Sequence, residues 1–296
     1  MDPSTHPPDE LELQSSGFKM EHREVKTATG RARLSYLVCQ PLEQAGFPNA
    51  FSTRLGGVSR FAAGSLSLGY SRADSPENVD ENRRRFLTAI GAQGTRILTM
   101  RQTHSADRYL IDSAGQPEPG EPRSDALLSQ NYGLLLGVQT ADCLPILIGD
   151  ARTGAMAAIH AGWRGTASRI TERTVADLMR YCGVNPRDAI AALGPAACGR
   201  CYEVGTDVID RFKQEFGYWK NLLQPIGATG KAHLDIAAAN IQQLSFCGFT
   251  EDRILSAPYC TMHQNDLFFS YRLEGGGGTH PVGRLLSVIG RVAPLP

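Results

Sequence analysis

Short apolar runs separated by turn residues occupy the middle of the chain. Three of them cover residues 133–139, 143–148 and 155–160. Runs of this length, bounded by glycine, threonine and aspartate, are typical of strands that are buried on both faces. Each run therefore predicts a strand, with polar residues at its ends.

Helical periodicity occurs in four segments: 76–90, 166–181, 206–217 and 235–246. The second segment carries Ile170, Val175 and Leu178 on one apolar stripe before Gly183, which is the usual pattern of an amphipathic helix and its stop. Strands and helices alternate without a strict rhythm, and no GxGxxG or GxxxxGK[ST] turn follows a strand. We therefore expect an α+β fold rather than a doubly wound sheet.

The first 33 residues differ from the rest of the chain. Residues 1–33 are rich in proline, serine, glutamate and lysine and show little apolar periodicity, which is typical of a flexible tail. No linker rich in proline or serine divides the remaining residues. We predict a flexible tail over 1–33 and a single domain over 34–296.

Composition narrows the classes of function. Hydrophobic residues make up 42% of the chain, and thirty basic residues balance thirty acidic ones. These values are typical of soluble globular proteins and argue against nucleic acid as a partner. Seven dispersed cysteines indicate free thiols in a reducing compartment. Because no signal peptide or membrane-spanning run is evident, we expect a cytoplasmic protein without membrane contact.

Three segments combine a metal-binding side chain with a turn: RQTHSAD around His104, QTADCLP around Cys143 and IHAGWRG around His160. Two imidazoles and one thiolate suit zinc, and three protein ligands leave a fourth position free for water or substrate. Copper is the alternative metal for the same atoms. Spacing alone does not separate this site from core residues at strand ends.

Three aspartates are candidates for orienting a ligand imidazole or accepting a proton: Asp107, Asp125 and Asp142. Their spacing does not decide among them. Cys198 and Cys201 form a single C-x-x-C pair within GPAACGRCYEVG. Because no second C-x-x-C exists, we assign these thiols no metal and predict a tight loop that is either structural or in contact with substrate.

Two arginines are candidate contacts for the substrate. Arg54 precedes a Gly-Gly turn, where its guanidinium could grip a phosphate through two parallel hydrogen bonds. Trp163 and Arg164 follow His160 and could form the wall of a pocket for a flat ring. The alternatives are a solvated arginine and a core tryptophan.

Taken in order, the chain resembles the YfiH-like family, also described as laccase-domain or multi-copper polyphenol oxidoreductases. The segments that carry the resemblance are FSTRLGGVS at 51, QTHSAD at 102, SDALLS at 124, GVQTADCLPILI at 137, AAIHAGWRGT at 157, GPAACGRCYEVG at 194 and SYR at 270. The resemblance implies a single-domain α/β sandwich with mixed sheets flanked by helices. It also implies that His104, Cys143 and His160 are zinc ligands.

The same resemblance implies an enzyme that acts on purine nucleosides. The expected reactions are phosphorolysis of adenosine, inosine, guanosine and methylthioadenosine, and deamination of adenosine. We expect catalytic roles for Cys143, His160 and Asp142. Substrate contacts are expected from a further set: Arg54 as a phosphate ligand, Ser67, Asp125, Arg164 and Cys201.

Two segments depart from the family pattern. Ser67 stands in SLSLG where the family usually has asparagine, which affects the contacts expected from that loop. The glycine-rich segment 275–278 is longer than usual and predicts a mobile flap.

Three other functions fit the same residues. Cys143 activated by His160 would be the nucleophile of an amide hydrolase that edits peptidoglycan precursors. A copper-dependent polyphenol oxidoreductase would need more histidines than the seven in the chain allow. A nucleoside-binding module without turnover is the third. We expect purine nucleosides and phosphate as ligands, and a monomer or weak dimer.

Overall fold

The computed structural model describes residues 7–28, 30–61, 64–71, 74–111, 121–275, 278 and 280–291. Within these residues two six-stranded mixed sheets pack face to face, and helices cover their outer faces. This arrangement confirms the predicted sandwich of mixed sheets flanked by helices. No helix in the described ranges combines the length and the apolar character that a membrane crossing requires.

The first sheet combines strands from both ends of the described chain. In spatial order it contains β1 (Phe18–Thr27), β2 (Gly30–Cys39), β3 (Asn49–Ser52), β15 (Leu285–Gly290), β7 (Leu134–Thr140) and β4 (Arg96–Leu98). The five neighbouring pairs are antiparallel except for β4 and β7, which are parallel. β15 therefore joins the amino-terminal strands to β7.

The second sheet carries His160, and Cys143 and Asp125 immediately precede two of its strands. In spatial order it contains β14 (Ile254–Ser256), β10 (Ile190–Leu193), β8 (Leu144–Asp150), β9 (Ala155–Ala161), β6 (Ala126–Ser129) and β5 (Arg108–Ile111). A separate three-stranded sheet contains β11 (Glu203–Val204), β13 (Ala232–Leu234) and β12 (Leu223–Pro225).

Strand directions bring several chain ends to one edge of the second sheet. β9 is antiparallel to both of its neighbours, β8 and β6. On one side, β5 is parallel to β6. On the other side, β10 is antiparallel to β8, and β14 is parallel to β10. The amino ends of β8, β6 and β5 therefore share an edge with the carboxyl ends of β9, β10 and β14. Loops at this edge are held close together by the pairing of the strands.

Alternating side chains divide the core into three clusters. Leu37 and Phe51 of the first sheet pack against Leu147 and Ala158 of the second between the two sheets. The opposite face of each sheet is covered by helices, as where Phe86 packs on the first sheet. The eight α-helices seen in the described residues are α1 (Glu10–Ser15), α2 (Gln40–Gln44), α3 (Pro76–Ala89), α4 (Trp163–Ala167), α5 (Ile170–Cys182), α6 (Thr206–Glu215), α7 (Ile236–Phe246) and α8 (Tyr271–Glu274).

The predicted strands and three of the four predicted helices are confirmed: β7, β8, β9, α3, α6 and α7 cover the expected segments within one or two residues. The helix expected over 166–181 is divided into α4 and α5. Arg169 adopts a left-handed backbone conformation with φ of 61°, which ends the first helix and begins the second. Such a residue breaks the hydrogen-bond ladder without any glycine or proline to signal it.

The expected flexible tail over 1–33 is wrong where the structure describes it. β1 pairs with β2 in an antiparallel ladder from Phe18 to Thr27, and α1 precedes it with Asp9 as its N-cap. Only Phe18 and Val25 of β1 are buried, so this edge strand has a polar sequence. Residues 1–6 and 29 of the predicted tail, and residues 276–277 of the predicted flap, lie outside the described residues.

Candidate metal centre and substrate cavity

His104, Cys143 and His160 meet at the shared edge of the second sheet. Cys143 immediately precedes β8, and His160 lies near the end of β9, opposite Pro145. His104 belongs to the loop that leads from β4 to β5. Their nitrogen and sulfur ligand atoms all lie within 4.8 Å of one another. Three residues that are far apart in sequence thus form one candidate metal site, as the sequence predicts.

Asp125 is the aspartate that orients a ligand. Its buried carboxylate accepts a hydrogen bond from Nδ1 of His160 at 2.8 Å. Since Nδ1 is then the protonated nitrogen, Nε2 of His160 is free to bind a metal. The second sheet provides this contact, because Asp125 immediately precedes β6 and the backbone N–H of His160 donates to its carbonyl oxygen at 2.8 Å.

The same carboxylate also fixes the loop that carries His104. It accepts hydrogen bonds from the backbone N–H of His104 at 3.0 Å and of Ser105 at 2.7 Å. The Ser105 hydroxyl adds a bond at 2.9 Å. Burial opposes ionisation of Asp125, but the hydrogen bond from His160 and those from Ser105 outweigh it and lower its pKa to about 2. Asp125 is therefore a carboxylate under all ordinary conditions.

Two residues at the site have a left-handed backbone. His104 has φ of 57° and Asp142 has φ of 82°. Neither is glycine, so the surrounding contacts must hold these conformations. The carboxylate of Asp142 accepts hydrogen bonds from the hydroxyls of Thr261 at 2.6 Å and Ser270 at 3.1 Å, and from the backbone N–H of Arg272 at 2.7 Å.

These contacts hold Asp142 in place beside Cys143. Burial raises the pKa of Asp142, although the three hydrogen bonds oppose that effect. The direct catalytic role that the sequence suggested for Asp142 stays a prediction.

The charges of the site suit a metal ligand set. Burial on its own would raise the pKa of the Cys143 thiol, but the charge of His160 and hydrogen bonds from both histidines lower it. Burial would likewise lower the pKa of His160, but the Cys143 thiolate and Asp125 raise it. The pair therefore favours a thiolate at Cys143, which is the form that binds metal ions.

Space is left for a metal because residue 162 has no side chain. A Cβ at Gly162 would lie 2.9 Å from Nδ1 of His104 and 3.1 Å from Sγ of Cys143. Two imidazoles and one thiolate beside this open space fit a catalytic zinc site, which has three protein ligands and one free position. The same donors also suit copper, so the geometry supports a metal without choosing between the two.

A cavity of about 630 Å³ lies over the three ligands. Four arginines contribute to its lining: Arg101, Arg164, Arg272 and Arg284. None of the four forms an ion pair with a carboxylate in the described parts of the chain. Four aromatic residues also line the cavity: Tyr70, Trp163, Tyr202 and Tyr271. The cavity thus offers positive charge for an anion and flat surfaces for a ring.

Arg164 is the one predicted substrate contact that lines this cavity. Its guanidinium lies 4.3 Å from the ring centroid of Trp163, so cation–π attraction holds the two side chains together. The three other cavity arginines were missed by the sequence analysis. Arg284 stands in the glycine-rich stretch after SYR, and Arg272 is the arginine of SYR itself. The sequence does not show that either side chain points into the cavity.

The other predicted substrate contacts lie elsewhere. Arg54 donates to the carbonyl oxygen of Asn265 at 2.8 Å and pairs with Glu274 at 3.0 Å. Its guanidinium is therefore committed to a partly buried ion pair rather than to phosphate. Ser67 is buried, and its hydroxyl accepts a hydrogen bond from the backbone N–H of Arg284 at 3.2 Å, so it acts on the cavity only through Arg284.

Asp125 and Cys201 are also corrected as substrate contacts. Asp125 is fully buried beneath the ligands, where its hydrogen bonds to protein groups occupy both oxygens. Cys201 does not line the cavity. It lies instead beside Cys198, Cys260 and His263.

Comparisons with known proteins agree on one family. The family model described as "Multi-copper polyphenol oxidoreductase laccase" matches residues 48–292. A purine nucleoside phosphorylase of Deinococcus radiodurans is 36% identical over 244 residues, covering 82% of this chain and 88% of that protein. Adenosine deaminase RL5, from an unknown prokaryotic organism, is 34% identical over 233 residues, covering 76% and 88%.

A solved structure shares the fold. The crystal structure of the hypothetical protein YfiH of Bacillus licheniformis superposes with a TM-score of 0.79 at 27% identity, and the match covers 86% of this chain and 96% of that one. The names of the relatives support an enzymatic role for the chain. The resemblance that the sequence motifs indicated is confirmed.

Proposed function

This chain belongs to the YfiH-like family of multi-copper polyphenol oxidoreductase laccases, and on that premise we propose that it is a zinc-dependent purine nucleoside phosphorylase. Its substrates are adenosine, inosine, guanosine and methylthioadenosine, and deamination of adenosine is its second activity. One observation carries the proposal: three metal ligands lie under a cavity with four arginines that lack a carboxylate partner in the described residues.

His104, Cys143 and His160 would hold the zinc ion. Asp125 keeps His160 in the tautomer that a metal ligand needs, because it accepts the Nδ1 hydrogen at 2.8 Å. Gly162 keeps the space beside the ligands free. Lewis-acid activation of an oxygen nucleophile is the chemistry that a bound zinc ion supplies at its open position.

The arginines bind phosphate in this proposal. Guanidinium groups form charge-assisted, often bidentate, hydrogen bonds to phosphate oxygens. Arg164 is exposed and braced by Trp163, whereas Arg284 is half-buried and fixed by hydrogen bonds to the carbonyl oxygens of Val282 and Gly283. Tyr202 and Tyr271 offer flat surfaces on which a purine can stack.

Phosphorolysis requires no covalent intermediate on the protein. An oxygen of phosphate forms a bond to C1′ of the ribose while the bond from C1′ to N9 of the purine breaks. The bonding electrons leave with the purine, which takes up a proton, and the other product is ribose 1-phosphate. The contribution of the cavity is to orient phosphate and nucleoside and to stabilise the charge of the transition state.

Deamination uses the same cavity with water in place of phosphate. Water adds to C6 of adenosine, the C6–N bond breaks, and ammonia leaves to give inosine. The arginines are not needed for this reaction. Phosphate should therefore be required for one product and not for the other.

The test is incubation of the purified, zinc-loaded protein with adenosine, with and without phosphate. Adenine, inosine and ribose 1-phosphate are followed by chromatography. We expect adenine and ribose 1-phosphate only when phosphate is present, and loss of both in Cys143→Ala. The absence of any purine product from the zinc-loaded wild type would contradict the proposal.

A cysteine hydrolase is the second candidate, because Cys143, His160 and Asp125 have the order of a nucleophile, base and orienting acid. Asp125 lies 2.8 Å from Nδ1 of His160, and the pKa of the Cys143 thiol is lowered by His160. Such an enzyme would cleave amides, as in peptidoglycan precursors. Amide cleavage that survives complete removal of metal by a chelator would favour this function over the phosphorylase.

A further inference from the structure

A second group of metal-binding side chains lies outside the substrate cavity. It consists of Cys198, Cys201, Cys260 and His263, whose ligand atoms all lie within 4.8 Å of one another. We propose that these four residues bind a second zinc ion in a closed, four-ligand site. This site is distinct from the three-ligand site, which consists of His104, Cys143 and His160. It does not depend on the proposed activity.

The fold brings the four residues together. Cys198 and Cys201 lie in the loop that follows β10, and Cys260 and His263 lie in the loop that follows β14. β10 and β14 are neighbouring parallel strands, so both loops leave the sheet at the same edge. A parallel bridge between Ala196 and Cys260 extends this pairing into the loops. The two halves of the site are therefore fixed by the sheet.

The distances fit a tetrahedral metal site. The sulfur atoms of Cys198 and Cys201 are 3.5 Å apart, and those of Cys201 and Cys260 are 3.9 Å apart. Nε2 of His263 lies 3.1 Å from the sulfur of Cys201. Ligand atoms about 2.3 Å from a central zinc ion would be about 3.8 Å apart at the corners of a tetrahedron. Small side-chain movements therefore complete the coordination sphere.

Three thiols and one imidazole are one of the ligand sets of structural zinc sites. The order along the chain, C-x-x-C followed by C-x-x-H, also has the short paired spacings of such sites. Four protein ligands leave no position for substrate. The ion would thus stabilise the fold and take no part in catalysis.

Hydrogen bonds hold the two loops of the cluster in place. The backbone N–H of Cys198 points at the sulfur of Cys260 at 3.4 Å, so the loop after β10 contacts the loop after β14 directly. The loop after β14 is braced by Gln264, whose side-chain oxygen accepts from the backbone N–H of Cys260 at 2.8 Å. All four cluster residues are buried or half-buried.

A redox pair is the rival interpretation of Cys198 and Cys201. A C-x-x-C pair that cycles through a disulfide needs only two sulfurs. Here a third thiol and an imidazole converge on the same point from another loop, which a disulfide does not require. The four-residue convergence therefore favours a metal.

The second site would also support the first. The two loops that carry it both reach Asp142, the residue before Cys143. Ala197 donates its backbone N–H to the carbonyl oxygen of Asp142 at 3.0 Å, and Thr261 donates its hydroxyl to the carboxylate at 2.6 Å. A zinc ion that joins the loops would thus hold the left-handed backbone that presents Cys143.

The test is the zinc content of the full-length protein, measured by mass spectrometry after zinc loading and removal of free metal. We expect two zinc ions per chain in the wild type, one in Cys260→Ser and one in Cys143→Ala. His263→Cys should keep two, because four thiolates also bind zinc. Cys247→Ser is the matched control, since Cys247 lies outside both clusters, and should also keep two.

Two results would overturn the proposal. One is a wild type that holds a single zinc ion, with the same content in Cys260→Ser. The other is a Cys198–Cys201 disulfide, found by mass spectrometry of protein alkylated before any reduction.

A second measurement covers the case in which Cys260→Ser does not fold. Cobalt is titrated into metal-free Cys143→Ala protein, which keeps all four residues of the second site. A thiolate-to-cobalt charge-transfer band with the intensity of three thiolates supports the site, and its absence contradicts it.

In His263→Ala we expect zinc at the three-ligand site to be bound about tenfold more weakly, with recovery in His263→Cys.

Discussion

The buried carboxylate of Asp125 lies 2.8 Å from Nδ1 of His160 and at the same time accepts the backbone N–H of His104 at 3.0 Å. One side chain therefore orients a ligand imidazole and fixes the loop that supplies another ligand. Because both hydrogen bonds end on one charged acceptor, which strengthens them, this single carboxylate holds the geometry of the candidate metal centre.

Asp125→Asn should weaken metal binding without removing any ligand. An amide cannot replace both carboxylate oxygens as acceptors, so the orientation of His160 and the His104 loop becomes less fixed. Loss of such an outer partner typically lowers metal affinity by about 10–100-fold. Competition with a chromophoric chelator measures the zinc affinity. Asp107→Asn is the control, because Asp107 contacts Asp125 only through backbone atoms, and an equal loss in both variants would contradict this role.

Gly162→Ala tests whether zinc binding requires the space beside His104 and Cys143. Gly162 has φ of −76° and ψ of 168°, which alanine adopts without strain, so only the added Cβ is at issue. That atom would press on His104 and Cys143, at a cost of about 1–3 kcal/mol. This corresponds to about 5–150-fold weaker zinc binding.

The control for this change is Gly217→Ala, because a Cβ at Gly217 would meet no atom within 4 Å. We expect Gly217→Ala to bind zinc like the wild type, as measured by the same chelator competition. Unchanged affinity in Gly162→Ala would mean that the ligands do not occupy this space.

Substitution of the cavity arginines should affect phosphate more than nucleoside. For Arg164→Gln or Arg284→Gln we expect the KM for phosphate to rise by about 10–100-fold, since a charge-assisted hydrogen bond contributes about 1.5–3 kcal/mol. Steady-state kinetics with varied phosphate and saturating inosine measures this. Deamination of adenosine should remain near the wild-type rate, because water carries no charge for the arginines to bind.

Arg54→Gln distinguishes an arginine that stabilises the fold through an ion pair from the arginines that line the cavity. Its guanidinium pairs with Glu274 and lies over the ring of Phe269, so its loss leaves a half-buried carboxylate without a charged partner. We expect lower thermal stability and an unchanged KM for phosphate. A large rise in that KM at full stability would restore Arg54 as the phosphate ligand.

Glu81 should give α3 an acid-sensitive contribution to stability. The hydrogen bond from Arg84, together with that from Arg85, lowers its pKa to about 2, although partial burial opposes the shift. The unfolded chain has a glutamate pKa of about 4.3. The contribution is therefore fully present above about pH 4.3 and is lost as the pH falls towards about 2.

Urea unfolding of wild type and Glu81→Gln at several pH values measures this effect. We expect the wild type to be more stable by about 0.5–1 kcal/mol at pH 7, with the difference disappearing near pH 2. A difference that stays constant over this range would show that the ion pairs of Glu81 do not contribute.

The sequence predicts the parts of this protein that are determined locally. Continuous apolar runs identify β7, β8 and β9, since buried strands must be apolar on both faces. β1 could not be found in this way, because an edge strand with only Phe18 and Val25 buried has the composition of a tail. The break at Arg169 depends on tertiary contacts, among them its hydrogen bond to the carbonyl oxygen of Glu215.

The candidate site also has some features that the sequence determines locally and others that depend on the fold. Its three ligands stand in distinctive segments, whereas the choice of Asp125 over Asp107 and Asp142 depends on the pairing of β6 with β9. The chain has no second C-x-x-C pair, but Cys260 and His263 form a C-x-x-H pair, which is an equivalent signal of a metal site. Arg101 and Arg284 reach the cavity from loops, and the direction of a loop side chain is set by the fold around it.

The position of β15 has a consequence for biosynthesis. This strand covers Leu285–Gly290 and lies between β3 and β7, two strands that the ribosome delivers much earlier. Until β15 has emerged, β3 and β7 present unpaired edges to the cell, and such edges are sites of aggregation. Nascent chains stalled before residue 285 should therefore be clients of chaperones, because the first sheet closes only after β15 has emerged.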